Sequence, residues 1–195
     1  MSYSSSVLAV FLTGFVVKAI DDLLDEDEPL TRGLLAYLGK GAYIYVLLAL
    51  LIACTLDFSV TFPLFSACYI VGMFSSWSMP LPFGLSSFGE SIVMFFLSLI
   101  VAGNAVTIWS LLIIFSIHIL DDLLDIAVDY PKGSANYALR WGRHPTIFVF
   151  LITLYSSVLM QPFLSVVVLC CTLIISEGIF KLFEEEDRDD PTRFC

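Results

Sequence analysis

Two stretches a hundred residues apart decide how this chain reads: Phe15-Val16-Val17-Lys18-Ala19-Ile20-Asp21-Asp22-Leu23-Leu24-Asp25 and Phe115-Ser116-Ile117-His118-Ile119-Leu120-Asp121-Asp122-Leu123-Leu124-Asp125. They align without a gap. Six of the eleven positions are identical, and Val17 with Ile117 and Ile20 with Leu120 are similar. Each stretch ends an apolar run on the same Asp-Asp-Leu-Leu-Asp, shortly before Pro29 or Pro131. A solvated helix end is the plain structural explanation of one such cluster. It fits poorly, because the C-terminal end of a helix carries the negative pole of the macrodipole, where a carboxylate is disfavoured by up to about 1 kcal/mol. Like charges on one turn add to that cost. A sequence shaped by stability alone would place Lys or Arg there.

Composition explains what surrounds the two clusters. Of 195 residues, 58% are hydrophobic and 14% charged, against about a quarter charged in soluble domains. Too little polar surface remains to cover a water-soluble globule, so the bilayer is the expected main solvent. The first apolar segment is expected to be a retained span, because it lacks a basic flank and an Ala-x-Ala-like site. Net charge is −10, unevenly placed: six of the 19 acidic residues form the clusters, and six more lie between Glu184 and Asp190, which read as a solvated tail. The acidic balance argues against nucleic acid and anionic lipid surfaces as partners. Cys54, Cys68, Cys170, Cys171 and Cys195 form no CxxC or Cys/His metal spacing; the first four lie in apolar segments and read as small packing residues, and Cys195 does not fit a C-a-a-X box.

A span needs about 20 mostly apolar residues. Seven segments qualify, at roughly 4–24, 36–56, 58–76, 87–103, 105–125, 145–160 and 162–182. Breaks fall at 26–33, Leu56-Asp57, 78–87, Gly103-Asn104, 129–144 and Gln161-Pro162. Lipid offers no partner to free backbone groups, so the expected fold is an all-α integral membrane bundle of about seven helices. One transmembrane domain over 1–183 and an acidic tail over 184–195 follow, with the repeat relating the halves. Basic residues follow spans one and five and end or follow span seven: Arg32 and Lys40; Lys132, Arg140 and Arg143; Lys181, Arg188 and Arg193. With seven spans all of them share one side, which the positive-inside rule makes cytoplasmic. Both clusters are then expected at the cytoplasmic surface.

Carboxylates at i, i+1 and i+4 put two on one face and a third beside them. That set suits Mg²⁺, which takes oxygen ligands and is often completed by substrate phosphates. Asp21, Asp22, Asp25, Asp121, Asp122 and Asp125 are the expected metal ligands, with Asp22, Asp25, Asp122 and Asp125 carrying the catalysis. A diphosphate cannot sit against carboxylates without cations between them, and two clusters on facing helices would hold several Mg²⁺ around one diphosphate. Lys18 and His118 stand one turn before each cluster. Lys18 reads either as a diphosphate-binding cation or as an ion-pair partner of Asp21 or Asp22. His118 reads as a phosphate ligand, a base, a partner of Asp122 or a helix contact. Arg32, Lys132, Arg140 and Arg143 either grip phosphate or only set topology. Glu90 and Asn104 read as polar helix contacts, with Glu90 a further candidate for the site.

These residues resemble the UbiA superfamily of intramembrane prenyltransferases. Asp21-Asp22-x-x-Asp25 followed by Arg32 is similar to the family's first motif. Asp121-x-x-x-Asp125 followed by Gly133-Ser134-Ala135-Asn136-Tyr137-Ala138-Leu139-Arg140-Trp141-Gly142 looks like its second, and Gly89-Glu90 like a GE after a Pro-rich loop. The chain departs from the family in lacking two helices, in Asp21 for Asn, Pro29 for Asp and Asn136 for Thr, and in a 78–84 loop without a basic residue. The resemblance implies an Mg²⁺-dependent enzyme using an isoprenoid diphosphate, with Asn136 among its substrate-binding residues and prenyl transfer to a lipophilic acceptor as the reaction. A terpene cyclase on the same scaffold is the nearest alternative. A non-enzymatic cation transporter would place its site nearer the midplane. A CDP-alcohol phosphotransferase would need a DGxxAR run, which is absent.

Overall fold

Apolar runs of this length satisfy their backbone groups in lipid only as helices. The computed structural model describes residues 3–24, 41–73, 85–126, 130 and 136–175, with the backbone alone at 21–24, and these residues are helical apart from short connections. The helices are α1 (Tyr3–Leu24), α2 (Ala42–Met73), α3 (Ser87–Leu124), α4 (Tyr137–Trp141), α5 (Arg143–Met160) and α6 (Pro162–Leu173). Of these, α1, α2, α3 and α5 are long and apolar enough to cross a bilayer. The 174–182 part of the last expected span is described only to residue 175, and the tail lies outside the described residues.

Two long helices are interrupted. Backbone geometry leaves the helical region at Asp57 within α2 (φ −157°, ψ 87°) and at Gly103 within α3 (φ 79°, ψ 167°). Gln161 separates α5 from α6 with nearly the angles of Asp57 (φ −144°, ψ 77°). All three positions are among the breaks read from the sequence. At each the chain doubles back, and hydroxyls span the fold. Thr61 donates Oγ1–H to the Ala53 carbonyl at 3.0 Å, Ser165 donates Oγ–H to the Ser157 carbonyl at 3.0 Å, and the Ser98 and Thr107 hydroxyls meet at 3.0 Å. In an unbroken helix residues eight apart lie about 12 Å from one another, so these contacts require reversal. Gly103 permits its turn because a positive φ strains any residue with a Cβ.

The chain forms two compact units, Met1–Thr61 with Val167–Cys195, and Phe62–Val166. In the first, α1 buries Ala9, Val10, Thr13, Val16 and Ala19, three to four residues apart as an inward helical face requires. A Cβ on Gly14 would come within 2.9 Å of Ile175 Cδ1, so the missing side chain lets the two segments approach closely. Asp57 is buried and accepts hydroxyl bonds from Ser6 at 2.5 Å and Ser59 at 2.7 Å.

In the second unit, α3 after Gly103 buries Trp109, Ser110, Ile113, Ser116, Ile119 and Asp122 and packs on α4 and α5. The fully buried Trp109 donates its indole N–H to Ser165 Oγ at 2.9 Å, and Ser116 donates to Thr153 Oγ1 at 2.8 Å. Small hydroxylated residues are what helices use to bind one another where lipid removes the hydrophobic drive. Large apolar residues point outward along the same helices, among them Ile100, Phe148, Ile152, Tyr155 and Leu159. An apolar outer face of that extent suits lipid.

Candidate functional site

The second aspartate cluster closes α3. A helix turns about 100° per residue, so Asp121 and Asp125 share a face while Asp122 points elsewhere. Accordingly, Asp121 and Asp125 are exposed and Asp122 is buried. Asp125 ends the helix, its N–H donating to the Asp121 carbonyl at 2.9 Å.

The chain returns to Asp122 at the start of α4. Asn136 is the N-cap: its Oδ1 accepts from Ala138 N at 2.8 Å and Leu139 N at 3.1 Å, which satisfies otherwise orphaned helix donors. Its Nδ2 donates to the Asp122 carbonyl at 2.8 Å, and the Tyr137 backbone N–H donates to Asp122 Oδ2 at 2.8 Å. The Tyr137 ring meets His118 edge-on at 5.9 Å and Phe115 at 6.2 Å, and lies tilted against Trp141 at 4.7 Å. Burial pushes the Tyr137 phenol above its usual range, the Asp122 carboxylate adds to that, and Arg140 opposes it.

Of the residues singled out in the sequence, the structure brings together His118, Asp122 and Asn136, gathered around Tyr137. Arg140 is exposed on α4, and Lys18 is half-buried on α1, one turn before the first cluster. Asp25, Arg32 and Lys132 lie outside the described residues, as do the side chains of Asp21 and Asp22. Tyr137 and Trp141 belong to the site although only the run that contains them was noticed. Sequence reasoning had no signal that Tyr137 would pack on His118. It also missed the partner of Glu90: Tyr69 donates its hydroxyl to Glu90 Oε2 at 2.5 Å.

Among the described residues no group of three or more His, Cys, Asp or Glu is gathered to hold a metal ion. The exposed pair Asp121 and Asp125, one turn apart on one face, does fit Mg²⁺, which is commonly held by one or two carboxylates with waters and substrate phosphates. Asp122 instead presents Oδ2 to the backbone of the next helix. No family model, no curated protein and no solved structure matches the chain.

Proposed function

We propose that this chain is a Mg²⁺-dependent membrane enzyme that ionises an isoprenoid diphosphate and passes the prenyl group to a lipophilic acceptor, as a short, seven-span member of the UbiA superfamily. One observation carries the reading: the same Asp-Asp-Leu-Leu-Asp ends the apolar helix α1 and, a hundred residues later, the apolar helix α3.

The packing of the two helices supports a repeat that reaches beyond those five residues. Buried positions 9, 10, 13, 16 and 19 on α1 all recur at 109, 110, 113, 116 and 119 on α3, where Thr107 is buried as well. The residues differ at all five, so the shared pattern is not a by-product of sequence identity. The turns at Asp57 and Gln161 support it as well. Each is spanned by a hydroxyl four residues after the break donating to a carbonyl four residues before it. Helix faces and turns that correspond in this way support two related halves, each contributing one carboxylate cluster to the same reaction.

The expected roles follow from the chemistry of each group. Asp121 and Asp125 in the second half, and Asp21, Asp22 and Asp25 in the first, supply the oxygen ligands. Bound Mg²⁺ supplies charge neutralisation for the departing diphosphate. Lys18 and His118, one turn nearer the membrane interior, place cationic or proton-bearing groups beside an anionic substrate. Arg140, with Arg32 and Lys132, adds charge at the surface that the basic residues mark as cytoplasmic. Asp122 and Asn136 hold the return of the chain after α3, which sets Tyr137 edge-on against His118.

The reading is tested by giving purified protein Mg²⁺ and labelled geranyl, farnesyl or geranylgeranyl diphosphate, with and without membrane lipid extract. Prenylated product formed only with extract is the expected outcome. A cyclic hydrocarbon or alcohol formed without extract would replace transfer by cyclisation.

A further inference from the structure

The chain is acidic as a whole, yet from Tyr130 to Ser176 it contains no Asp or Glu. The basic residues of that stretch are Lys132, Arg140 and Arg143, with His144 beside them. The net charge of −10 hides this local reversal. Lys132 lies outside the described residues, while Arg140, Arg143 and His144 are all exposed. Among the described residues no hydrogen bond or ion pair engages the Arg143 or His144 side chain.

The helices place this patch. Both α3 and α5 are long and apolar enough to cross a bilayer, and α4 lies between them in the chain. A connection between two such helices emerges at a bilayer surface. Arg143 and His144 open α5, and its N-cap, Gly142, has no side chain with which to satisfy the first N–H groups. Beyond them the helix turns apolar and outward. His144, Phe148, Leu151 and Tyr155 follow one another at spacings of four, three and four, so they share one face. Phe148, Leu151 and Tyr155 are each more than half exposed. From His144 to Tyr155 the helix rises about 16 Å, which is about half the thickness of the hydrocarbon core. A basic, donor-rich head thus stands over an apolar stripe as deep as one leaflet. A free phosphate would use only the head, and a neutral lipid only the stripe.

We infer that the start of α5 is a binding surface for an acidic phospholipid. The Arg143 guanidinium offers a planar fork of donors that matches two phosphate oxygens. His144 adds a ring N–H, and Arg140 adds charge from α4. The acyl chains lie along Phe148, Leu151 and Tyr155. In phosphatidylcholine the quaternary ammonium cancels the phosphate charge, so the surface selects lipids with a net negative headgroup. The inference goes beyond the prenyl-transfer reading and does not rest on it.

The test is competitive binding. Purified full-length protein in a neutral detergent receives equimolar dioleoylphosphatidylglycerol and dioleoylphosphatidylcholine, and native mass spectrometry reads the ratio bound. The two lipids share their acyl chains, so the ratio isolates the headgroup. Wild type should favour phosphatidylglycerol by about fivefold or more, and R143Q should lower that preference about fivefold, the worth of one basic residue near an anionic surface. R143K keeps the charge and should retain most of it. K40Q removes another basic residue expected on the same side of the membrane and should leave the preference unchanged. Arg143 is exposed and unpaired, so its replacement should not disturb folding; thermal unfolding of each variant checks this. Equal binding of the two lipids to wild type would overturn the inference, as would an unchanged preference in R143Q. An equal loss in K40Q would overturn it too, by assigning the preference to diffuse surface charge. Glycerol 3-phosphate at the lipid's concentration should not displace bound phosphatidylglycerol. If it does, the surface takes free anions and the lipid assignment is wrong.

Discussion

Tyr137 donates its backbone N–H to Asp122 Oδ2 at 2.8 Å, so one carboxylate of the second cluster is bound into the start of the next helix. Its neighbours Asp121 and Asp125 remain exposed. One short motif thus divides its labour: two carboxylates face outward, and one inward carboxylate holds the chain.

That division is measurable. D122A should lower unfolding stability by about 1.5–3 kcal/mol, the range for a hydrogen bond to a charged group. D122N retains an oxygen to accept the Tyr137 N–H and should recover most of it. D121A and D125A, at exposed positions, should stay within about 0.5 kcal/mol of wild type while removing diphosphate release. Thermal unfolding in detergent, with the release assay alongside, separates the two kinds of aspartate. A D122A protein as stable as wild type would contradict the tether.

Ser165 carries two bonds at once, accepting from the buried Trp109 indole and donating to the Ser157 carbonyl. Hydrogen bonds between membrane helices average about 0.6 kcal/mol and reach about 1.7. S165A should fall at the upper end, because it also leaves the Trp109 N–H orphaned. T61V, which loses a single bond to Ala53, should fall near the average. Adding W109F to S165A should cost less than the sum of the two changes, since the phenylalanine has no N–H left to satisfy.

Gly103 offers a clean backbone test. A Cβ there would meet nothing within 4 Å, so G103A carries no packing penalty. Its cost is the backbone strain of φ 79°, ψ 167° alone, a region essentially confined to glycine, about 1–3 kcal/mol. Thermal unfolding of G103A should show that loss, and G103N a similar one, because Asn is favoured only in the left-handed helical region, which this ψ leaves. If G103A is as stable as wild type, the chain does not make the turn as described.

Much of this architecture was legible beforehand, for a physical reason. Lipid forces apolar runs into helices, so hydropathy alone marks them. Asp57, Gly103 and Gln161-Pro162 are the polar or flexible interruptions at which such runs break. The candidate site was legible only in part. Periodicity sets Asp121 and Asp125 apart from Asp122, but nothing in the spacing says that residue 137 returns to residue 122 across the intervening segment. Asn136 was noticed through a motif, whereas its work here is to cap α4 and hold the Asp122 carbonyl. The Tyr69–Glu90 pair joins two helices 21 residues apart in the chain, and no local pattern announces such a pair.

Tyr137 gives a pH prediction. Its phenol is held above the ordinary value of 10.0, chiefly by burial and then by Asp122. The folded state therefore favours the protonated phenol. Its contribution is complete below the unfolded pKa and is lost as pH rises through the higher folded one. Stability should fall as pH rises above about 10, and Y137F should lessen that fall. An alkaline stability profile unchanged by Y137F would contradict the assignment.

The central claim is that both aspartate clusters serve one Mg²⁺-dependent ionisation. Its most direct test is the rate of diphosphate release from farnesyl diphosphate by wild type, D21A, D121A and the double variant, with excess Mg²⁺ and again after chelation. Each single change should lower the rate by about a hundredfold or more. The double variant should be little worse than either single one, as expected of residues acting as a unit, and chelation should abolish the wild-type rate. An undiminished rate after replacing Asp21, Asp22 and Asp25 together by alanine, or no release by the wild type from any prenyl chain length, would contradict it.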